Sequence, residues 1–295
     1  MVARLTHLAY LLAHLVVAYS RSSSFTMAQS YAMLRSEEVL PRPMVATLLG
    51  GFSSIGQGGD QIVSKAASAA IAALFKQTEH IDATVRAEPV AKLLQGSMDG
   101  FDFVGNGLLM YNGLRIKAME LYVQAVSIDF GAVLTGKINL RLPTEARLRV
   151  LLTEEDLTTS FNTPFVVQKL QKLEYDGQNL NFQSTKMSIN GDRTIQLNSL
   201  VRIGEKDPIE LDINAKVTVE ERRRIQFSDV KYSGDEDSVK LAQALVDHVN
   251  ELMDLDKFAL DGTQLRIDQV RVRNDQLTFY GTAQIERFPE RKKLS

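Results

Sequence analysis

The chain has 295 residues, 44% of them hydrophobic, which is enough to bury the core of one large domain or of two smaller ones. Its 34 basic and 36 acidic residues give a net charge of −2, so no general attraction to nucleic acid is expected. The absence of cysteine excludes disulfides, thiolate nucleophiles, zinc ribbons and cysteine-held iron–sulfur clusters.

Residues 1–43 differ in composition from the rest of the chain. They begin with an acid-free stretch that contains an apolar run of twelve residues, "LAYLLAHLVVAY", at positions 8–19. This run is shorter than the roughly 20 apolar residues that a transmembrane helix needs. Three interpretations remain open: a signal peptide, an organelle transit peptide, or a true start at Met27 or Met44 with the upstream residues not translated.

The folded part is predicted to begin after a flexible linker at residues 44–58, which contains several Gly and Ser residues. Apolar residues then recur every three or four positions over residues 59–77, which predicts a helix with Asp60 as its N-cap. Residues 80–88 alternate between apolar and polar side chains, which predicts a β-strand. The glycines of residues 105–113 are interpreted as turns or bends, because they lack the G-x-G-x-x-G spacing of a phosphate-binding loop.

Two long alternating segments follow, at residues 114–130 and 137–152. The alternation of the first slips near Ala118 and again near Ala125, which we interpret as β-bulges that bend a long strand. Pro143 predicts an edge or a break in the second, because proline cannot donate a hydrogen bond to a neighbouring strand.

The acidic residues 154–156 stand together in the segment "LLTEEDLTTSF" and are the first candidates for catalytic or metal-binding carboxylates. With Thr153 as N-cap they occupy the first three helical positions, where acids favour the positive helix end and the third completes a capping box. Leu152 and Leu157 are then placed to form a hydrophobic staple. The pattern therefore predicts the start of a helix, and Pro164 predicts that a second helix starts at this proline, a short distance after the first helix.

Short turns separate the remaining predicted elements. Four strands are followed by a helix and by a hairpin around Asn274 and Asp275. The strands are predicted at residues 179–189, 194–203, 209–220, 223–232, 263–273 and 276–288, and the helix at residues 235–255. Consecutive strands with short connections indicate antiparallel pairing.

These elements predict an α+β fold in which a long, curved, mostly antiparallel β-sheet wraps around a few helices. We expect a single domain over residues 59–290, built from the halves 59–172 and 178–288 and followed by a basic tail at residues 291–295. A sheet of this kind either closes over a helix or leaves a groove.

The apolar faces of the predicted helices are the candidate ligand site. They either pack as core or line an apolar cavity, which is the usual form of a lipid site. The residues predicted as apolar lining are Leu157, Phe161, Phe165, Leu170, Leu245, Val249 and Leu252.

A run of three arginines, Arg222, Arg223 and Arg224, either forms a solvated turn or contacts anionic headgroups. The four histidines show no paired ligand spacing, and no P-loop or nucleophile elbow occurs in the sequence. We therefore predict no catalytic residue, no metal site and no cofactor.

Three stretches together resemble a known family: "SIDFGAVLTGKINL" (127–140), "LRVLLTEEDLTTSF" (148–161) and "LRIDQVRVRNDQLTFYGTAQI" (265–285). They are similar to the LmeA-like family of cell-envelope proteins, long described as a domain of unknown function and later associated with phospholipid binding. The segment "LLQGSMDGFDFVGNGLL" (93–109) is of the same type, and it looks like the cyanobacterial and plastid branch of the family. The resemblance covers roughly residues 60–288.

The resemblance implies a layout similar to tubular lipid-binding domains, in which a twisted sheet around long helices holds acyl chains. It implies a non-enzymatic protein that binds phospholipid or another apolar ligand at a membrane surface, with lipid transport or envelope maintenance as its role. The expected partners are lipid and membrane, and not nucleic acid. The expected location is membrane-associated, in the cell envelope, the periplasm or facing the thylakoid, or cytoplasmic if residues 1–43 are not translated. A structural or interaction protein of the envelope with a fully packed core is the alternative.

Overall fold

A computed structural model describes residues 75–89, 97–127, 140–258, 263–273 and 275–286, together with Ser64, Lys65, Ser68, Ile71, Ala72 and Lys92. Of Leu252, Lys257, Phe258 and Thr263 it describes the backbone alone. The predicted N-terminal segment (1–43), linker (44–58) and basic tail (291–295) lie outside the described residues, as does much of the predicted helix at 59–77.

Eleven strands and three α-helices are described from end to end, and residues 64, 65, 68, 71, 72 and 92 are also helical. In chain order these are β1 (His80–Arg86), β2 (Ser97–Leu109), β3 (Arg115–Ser127), β4 (Thr144–Thr153), α1 (Glu154–Phe161), α2 (Pro164–Leu170), β5 (Glu174–Tyr175), β6 (Gln178–Ile189), β7 (Thr194–Ile203), β8 (Ile209–Glu220), β9 (Arg224–Ser233), α3 (Glu236–Leu252), a 3-10 turn (Leu255–Phe258), β10 (Thr263–Arg273) and β11 (Gln276–Ile285).

The strands build two open antiparallel sheets. The six-stranded sheet has the order β1-β2-β3-β4-β11-β10, and the five-stranded sheet has the order β5-β6-β7-β8-β9. The final hairpin thus returns to the first sheet, so strands from both predicted halves build the six-stranded sheet. Buried apolar residues of both sheets and of the helices form one continuous core.

Most of the predicted elements are confirmed. The strands β6 to β10 lie within one residue of their predicted bounds, and Arg273 pairs with Gln276 across the predicted hairpin loop. The capping box is present: Asp156 N–H donates to Thr153 Oγ1 at 3.2 Å, and Thr153 N–H donates to Asp156 Oδ2 at 2.9 Å. Pro164 begins α2, as predicted.

The strand β2 was not predicted, because three glycines interrupt its pattern. A Cβ at Gly105 would lie 2.7 Å from the Phe103 ring, so a side chain there would displace core atoms. Gly107 has φ +57° and falls out of the pairing with β3, a conformation that favours glycine. The predicted turn is confined to residues 111–113.

The predicted bulges in β3 are wrong. The register between β2 and β3 is the same from the Ser97–Ser127 pair to the Leu109–Arg115 pair. Burial changes face twice along β3: Ile116 and Val126 are buried on one face, whereas Met119, Leu121 and Val123 are buried on the other. The register shifts of the described strands lie instead within the pairs β6–β7, β8–β9 and β10–β11.

The strand β5 pairs only with Gln178 and Asn179 of β6, and α1 covers the rest of that edge and hydrogen-bonds to its backbone. Thr158 Oγ1 accepts a hydrogen bond from Met187 N–H at 3.0 Å and donates one to the Met187 carbonyl at 3.1 Å. The side-chain amide of Asn162, the C-cap residue, makes the corresponding pair of bonds with Thr185, at 2.9 and 2.6 Å. Side chains of the helix thereby satisfy strand groups that a neighbouring strand would otherwise pair.

A third contact extends this row, because Ile189 N–H donates to Glu154 Oε1 at 2.5 Å. The helix residues 154, 158 and 162 are four apart, and their strand partners 189, 187 and 185 are two apart. Four helical residues advance about 6.0 Å and two strand residues about 6.7 Å, so helix and strand stay in step. The arrangement protects an edge that would otherwise be open to pairing with another chain.

The first sheet uses the same arrangement. Two residues of the predicted helix at 59–77, Ser64 and Ser68, are helical and four apart. Ser64 Oγ accepts from Val85 N–H at 3.0 Å, and Ser68 Oγ accepts from Ala83 N–H at 2.9 Å. In each sheet, helical residues that precede the first long strand in sequence therefore bind the edge of that strand.

We predict that Thr158→Val lowers the free energy of unfolding by about 1 to 2 kcal/mol, because it leaves the N–H and C=O of Met187 without their partner. The matched control is Thr159→Val, on the exposed side of the same helix, which should change it by less than about 0.5 kcal/mol. Urea unfolding of both variants measures the difference. Equal losses in the two variants would contradict the role of Thr158.

Candidate functional site

A groove runs over β7 on the inner face of the five-stranded sheet. The helix α1 packs on β6, and α3 packs on β8 and β9, so the central strand β7 lies between two helical walls. Alternate residues of a strand face the same side, so Ile195, Leu197 and Ser199 of β7 point into the groove together.

The lining of the groove is almost entirely apolar. Phe161 and Leu170 form one wall, and Leu245, Val246 and Val249 form the other. The floor is built from residues of β6 to β9, of which Leu197 and Phe227 are only half-buried. Half-buried apolar groups in a concave site indicate a place where an apolar ligand would gain contact area.

Two hydroxyl groups interrupt the apolar floor. Thr185 Oγ1 and Ser199 Oγ lie 2.9 Å apart on paired strand positions, and Ser199 Oγ also donates to the Ser184 carbonyl at 3.0 Å. The two side chains satisfy each other, so an apolar ligand would not leave either of them without a partner.

The groove is narrow. About 500 Å³ lies between its walls when the open mouth is counted, but the free volume within is about 30 Å³. That volume has room for about two water molecules. An acyl chain therefore does not fit in the conformation described.

The predicted lining residues are divided between the groove and the core. Four of the seven line the groove: Phe161, Leu170, Leu245 and Val249. Leu157 is fully buried and Phe165 is half-buried, and both pack in the core outside the groove lining. The side chain of Leu252 lies outside the described residues. Ligand contact by any of them stays a prediction.

The floor of the groove was missed from the sequence. Its residues belong to strands that were predicted, but alternation alone does not show which face of a strand is covered by helices and which by the other sheet. The apolar series Ile195, Leu197 and Ile213 would identify the floor only once the pairing of β7 with β8 is known.

The three arginines lie in and beside the β8–β9 turn and pair with carboxylates. Arg222, at φ +58°, bonds through its guanidinium to Asp268 and to Thr282 Oγ1. Its carbonyl accepts from Ile267 N–H at 2.7 Å, beside the register shift in β10. The turn therefore fastens the five-stranded sheet to β10 of the other sheet.

The other two arginines share one acid. Arg223 contacts Asp254 at 2.8 Å and Glu221 at 2.7 Å, and Arg224 contacts Asp254 at 3.4 Å and Glu220 at 3.6 Å. Their positive charges are offset by these carboxylates. Contact between the arginines and a lipid headgroup stays a prediction.

The ion pairs act on Asp254. Burial alone would raise its pKa, but the N–H of Asp256 and the guanidinium groups of Arg223 and Arg224 hold the pKa below the ordinary value of 3.8. A carboxyl whose pKa is lowered by folding contributes stability above its unfolded pKa and loses that contribution as the pH falls through the folded pKa.

Within the residues that the structure describes, no three His, Cys, Asp or Glu side chains are grouped so as to hold a metal ion. Among those same residues, no helix has both the length and the apolar composition needed to cross a membrane.

We predict that Asp254→Asn lowers the free energy of unfolding at pH 7, and that the gap from the unsubstituted protein narrows as the pH falls from about 5 to about 2. Chemical unfolding at a series of pH values measures the gap. Asp207→Asn, an exposed carboxylate between β7 and β8, is the control and should show no such trend. A gap that stays constant with pH would contradict the role given to the Asp254 ion pairs.

Comparison with known proteins identifies the family. The model of the LmeA-like phospholipid-binding family matches residues 56–282, which is most of the chain and includes the groove and the arginine turn. Comparison with curated proteins finds no match, and neither does comparison with solved structures. The match confirms the resemblance seen in the three sequence stretches, and the chain belongs to the LmeA-like phospholipid-binding family.

Proposed function

We propose that the groove over β7 binds an acyl chain of a phospholipid, or of a similar apolar ligand, at a membrane surface. The observation that supports this most strongly is a concave apolar site between two helices in a member of a phospholipid-binding family. Each methylene taken out of water contributes about 0.8 kcal/mol, so one chain in the groove would supply most of the affinity.

The headgroup would stay outside the groove, because burying a charged group without a partner costs more than the apolar contact returns. Arg222, Arg223 and Arg224 are the proposed headgroup contacts. A phosphate would have to compete there with Asp254 and Asp268, so this contact adds less affinity than free arginines would.

Binding without catalysis is the proposed role. Among the described residues, the groove lining contains no titratable side chain, so it offers no acid, base or charged nucleophile to a bound lipid. A single domain over residues 59–290, whose two sheets wrap around the helices as in tubular lipid-binding domains, would move lipid between membranes or maintain the cell envelope. The proposed location is a membrane surface of the envelope or the thylakoid.

The second candidate is a structural or interaction protein of the cell envelope with a fully packed core. The free volume of about 30 Å³ favours it, because a packed core leaves space for no more than a few waters.

One experiment distinguishes the two candidates. Mass spectrometry of an organic extract of the purified protein should find phospholipid in proportion to protein if the groove binds lipid. Extracts without lipid, together with no pick-up from phosphatidylglycerol vesicles, would favour the second candidate.

We predict that Leu197→Gln weakens lipid binding about tenfold, because it replaces a half-buried leucine at the centre of the groove floor with a polar group. Leu200→Gln is the matched control: it lies on the same strand, is also half-buried and faces the opposite side of the sheet. Uptake of a pyrene-labelled phosphatidylglycerol from vesicles measures both variants. Equal uptake by the two would place the site elsewhere.

A further inference from the structure

The groove is narrower than a lipid site. Ligand sites for molecules of lipid size have volumes of several hundred Å³, whereas the free volume here is about 30 Å³. If the groove binds an acyl chain as proposed above, one of its two walls must be displaced. The two walls are attached to the rest of the molecule in different ways.

The wall formed by α1 is held from two sides. Glu154, Thr158 and Asn162 make five hydrogen bonds with β6 of the five-stranded sheet. Toward the other sheet, Ser160 Oγ accepts from Arg115 N–H at 3.0 Å, and the Arg115 guanidinium contacts Glu155 at 2.6 Å. Displacing α1 would break directional bonds in both sheets at once.

The wall formed by α3 packs on β8 and β9, but among the described residues its hydrogen bonds to the sheet lie along one line, the edge strand β9. Near its C-terminal end, the Asn250 side chain bonds to the N–H and C=O of Phe227 at 2.8 and 3.2 Å. Just beyond the helix, Ile225 N–H donates to the Met253 carbonyl at 3.2 Å. At its N-terminal end, α3 joins β9 through Gly234, whose φ is +126°.

Between these two attachments α3 is held by apolar contact. In the described part of the chain, the hydrogen bonds and ion pairs of residues 236–249 stay within the helix and its cap, as in Lys240–Glu236 at 2.6 Å and Ser238–Asp235 at 2.8 Å. The residues that face the sheets, such as Leu245 and Val246, are apolar. Apolar contact is not directional, so methylenes of a ligand can replace it at little cost.

We infer that α3 is the movable wall: it rolls outward about β9, with Gly234 and Asn250 as its two pivots, and admits an acyl chain between itself and β7. The wall formed by α1 stays in place. This inference rests on the proposed lipid binding and adds how the site opens. It also explains how a groove with room for about two waters can serve a lipid.

The absence of cysteine makes the test direct, because spin labels can be placed at two introduced cysteines alone. Lys169→Cys on α2 and Gln243→Cys on α3 are both exposed and report the width of the groove. Lys169→Cys with Lys186→Cys on β6 is the matched control, because it reports the α2–β6 distance on the fixed side. Pulsed electron–electron double resonance measures the distance between the two spin labels of each variant, before and after loading with phosphatidylglycerol from vesicles.

On loading, the 169–243 distance should lengthen by about 4 Å, one layer of carbon contacts, while the 169–186 distance stays the same. Lipid uptake with an unchanged 169–243 distance, or with a lengthened 169–186 distance, overturns the inference and leaves the proposed function standing. No lipid uptake by either labelled protein overturns the proposed function itself, and the inference with it.

A second experiment cross-links α3 to α2 so that α3 cannot move outward. A bismaleimide with a disulfide in its spacer, joining Cys side chains introduced by Lys169→Cys and Gln243→Cys, should reduce lipid uptake at least fivefold. Cleaving the spacer with a reductant should restore uptake. The same variant capped with a monofunctional maleimide is the control and should take up lipid normally. Normal uptake by the cross-linked protein would exclude α3 as the moving wall.

Discussion

The edge of β6 that no strand pairs is the constraint on which the rest of the structure depends. A strand at the edge of a sheet presents N–H and C=O groups that must be satisfied, and here side chains of α1 satisfy them. The arrangement works because residues four apart on a helix match residues two apart on a strand. It fixes the position and direction of α1 and so places Phe161, which forms one wall of the groove together with Leu170 of α2.

The two sheets solve the same problem in the same way. Ser64 and Ser68 bind the edge of β1 as Thr158 and Asn162 bind the edge of β6, and in each case four long antiparallel strands follow in order, the second set preceded by the two-residue β5. The two sheets differ in α3 and in the final hairpin. The hairpin adds β10 and β11 to the six-stranded sheet, and α3 packs on β8 and β9 of the five-stranded sheet. The groove exists because α3 and α1 approach the five-stranded sheet from opposite edges and leave β7 between them.

Local patterns in the sequence predict the elements of this fold well and its functional site only in part. Alternation locates β6 to β10, and "LLTEEDLTTSF" gives the cap and start of α1, because these depend on neighbouring residues. The same segment also contains Glu154 and Thr158, whose bonds to β6 depend on a strand about thirty residues away in sequence and could not be predicted. β2 was missed because its glycines serve close packing and a positive φ, which only the tertiary structure shows.

The central claim is that the groove over β7 receives an acyl chain, and photo-crosslinking tests it most directly. The protein takes up phosphatidylglycerol that carries a diazirine in its acyl chain, and the complex is irradiated. Mass spectrometry of peptides then locates the cross-linked residues. The account predicts adducts on residues of the floor and walls, such as Leu197, Phe227 and Val246. Adducts confined to the six-stranded sheet, or no adducts after uptake is shown, would contradict it.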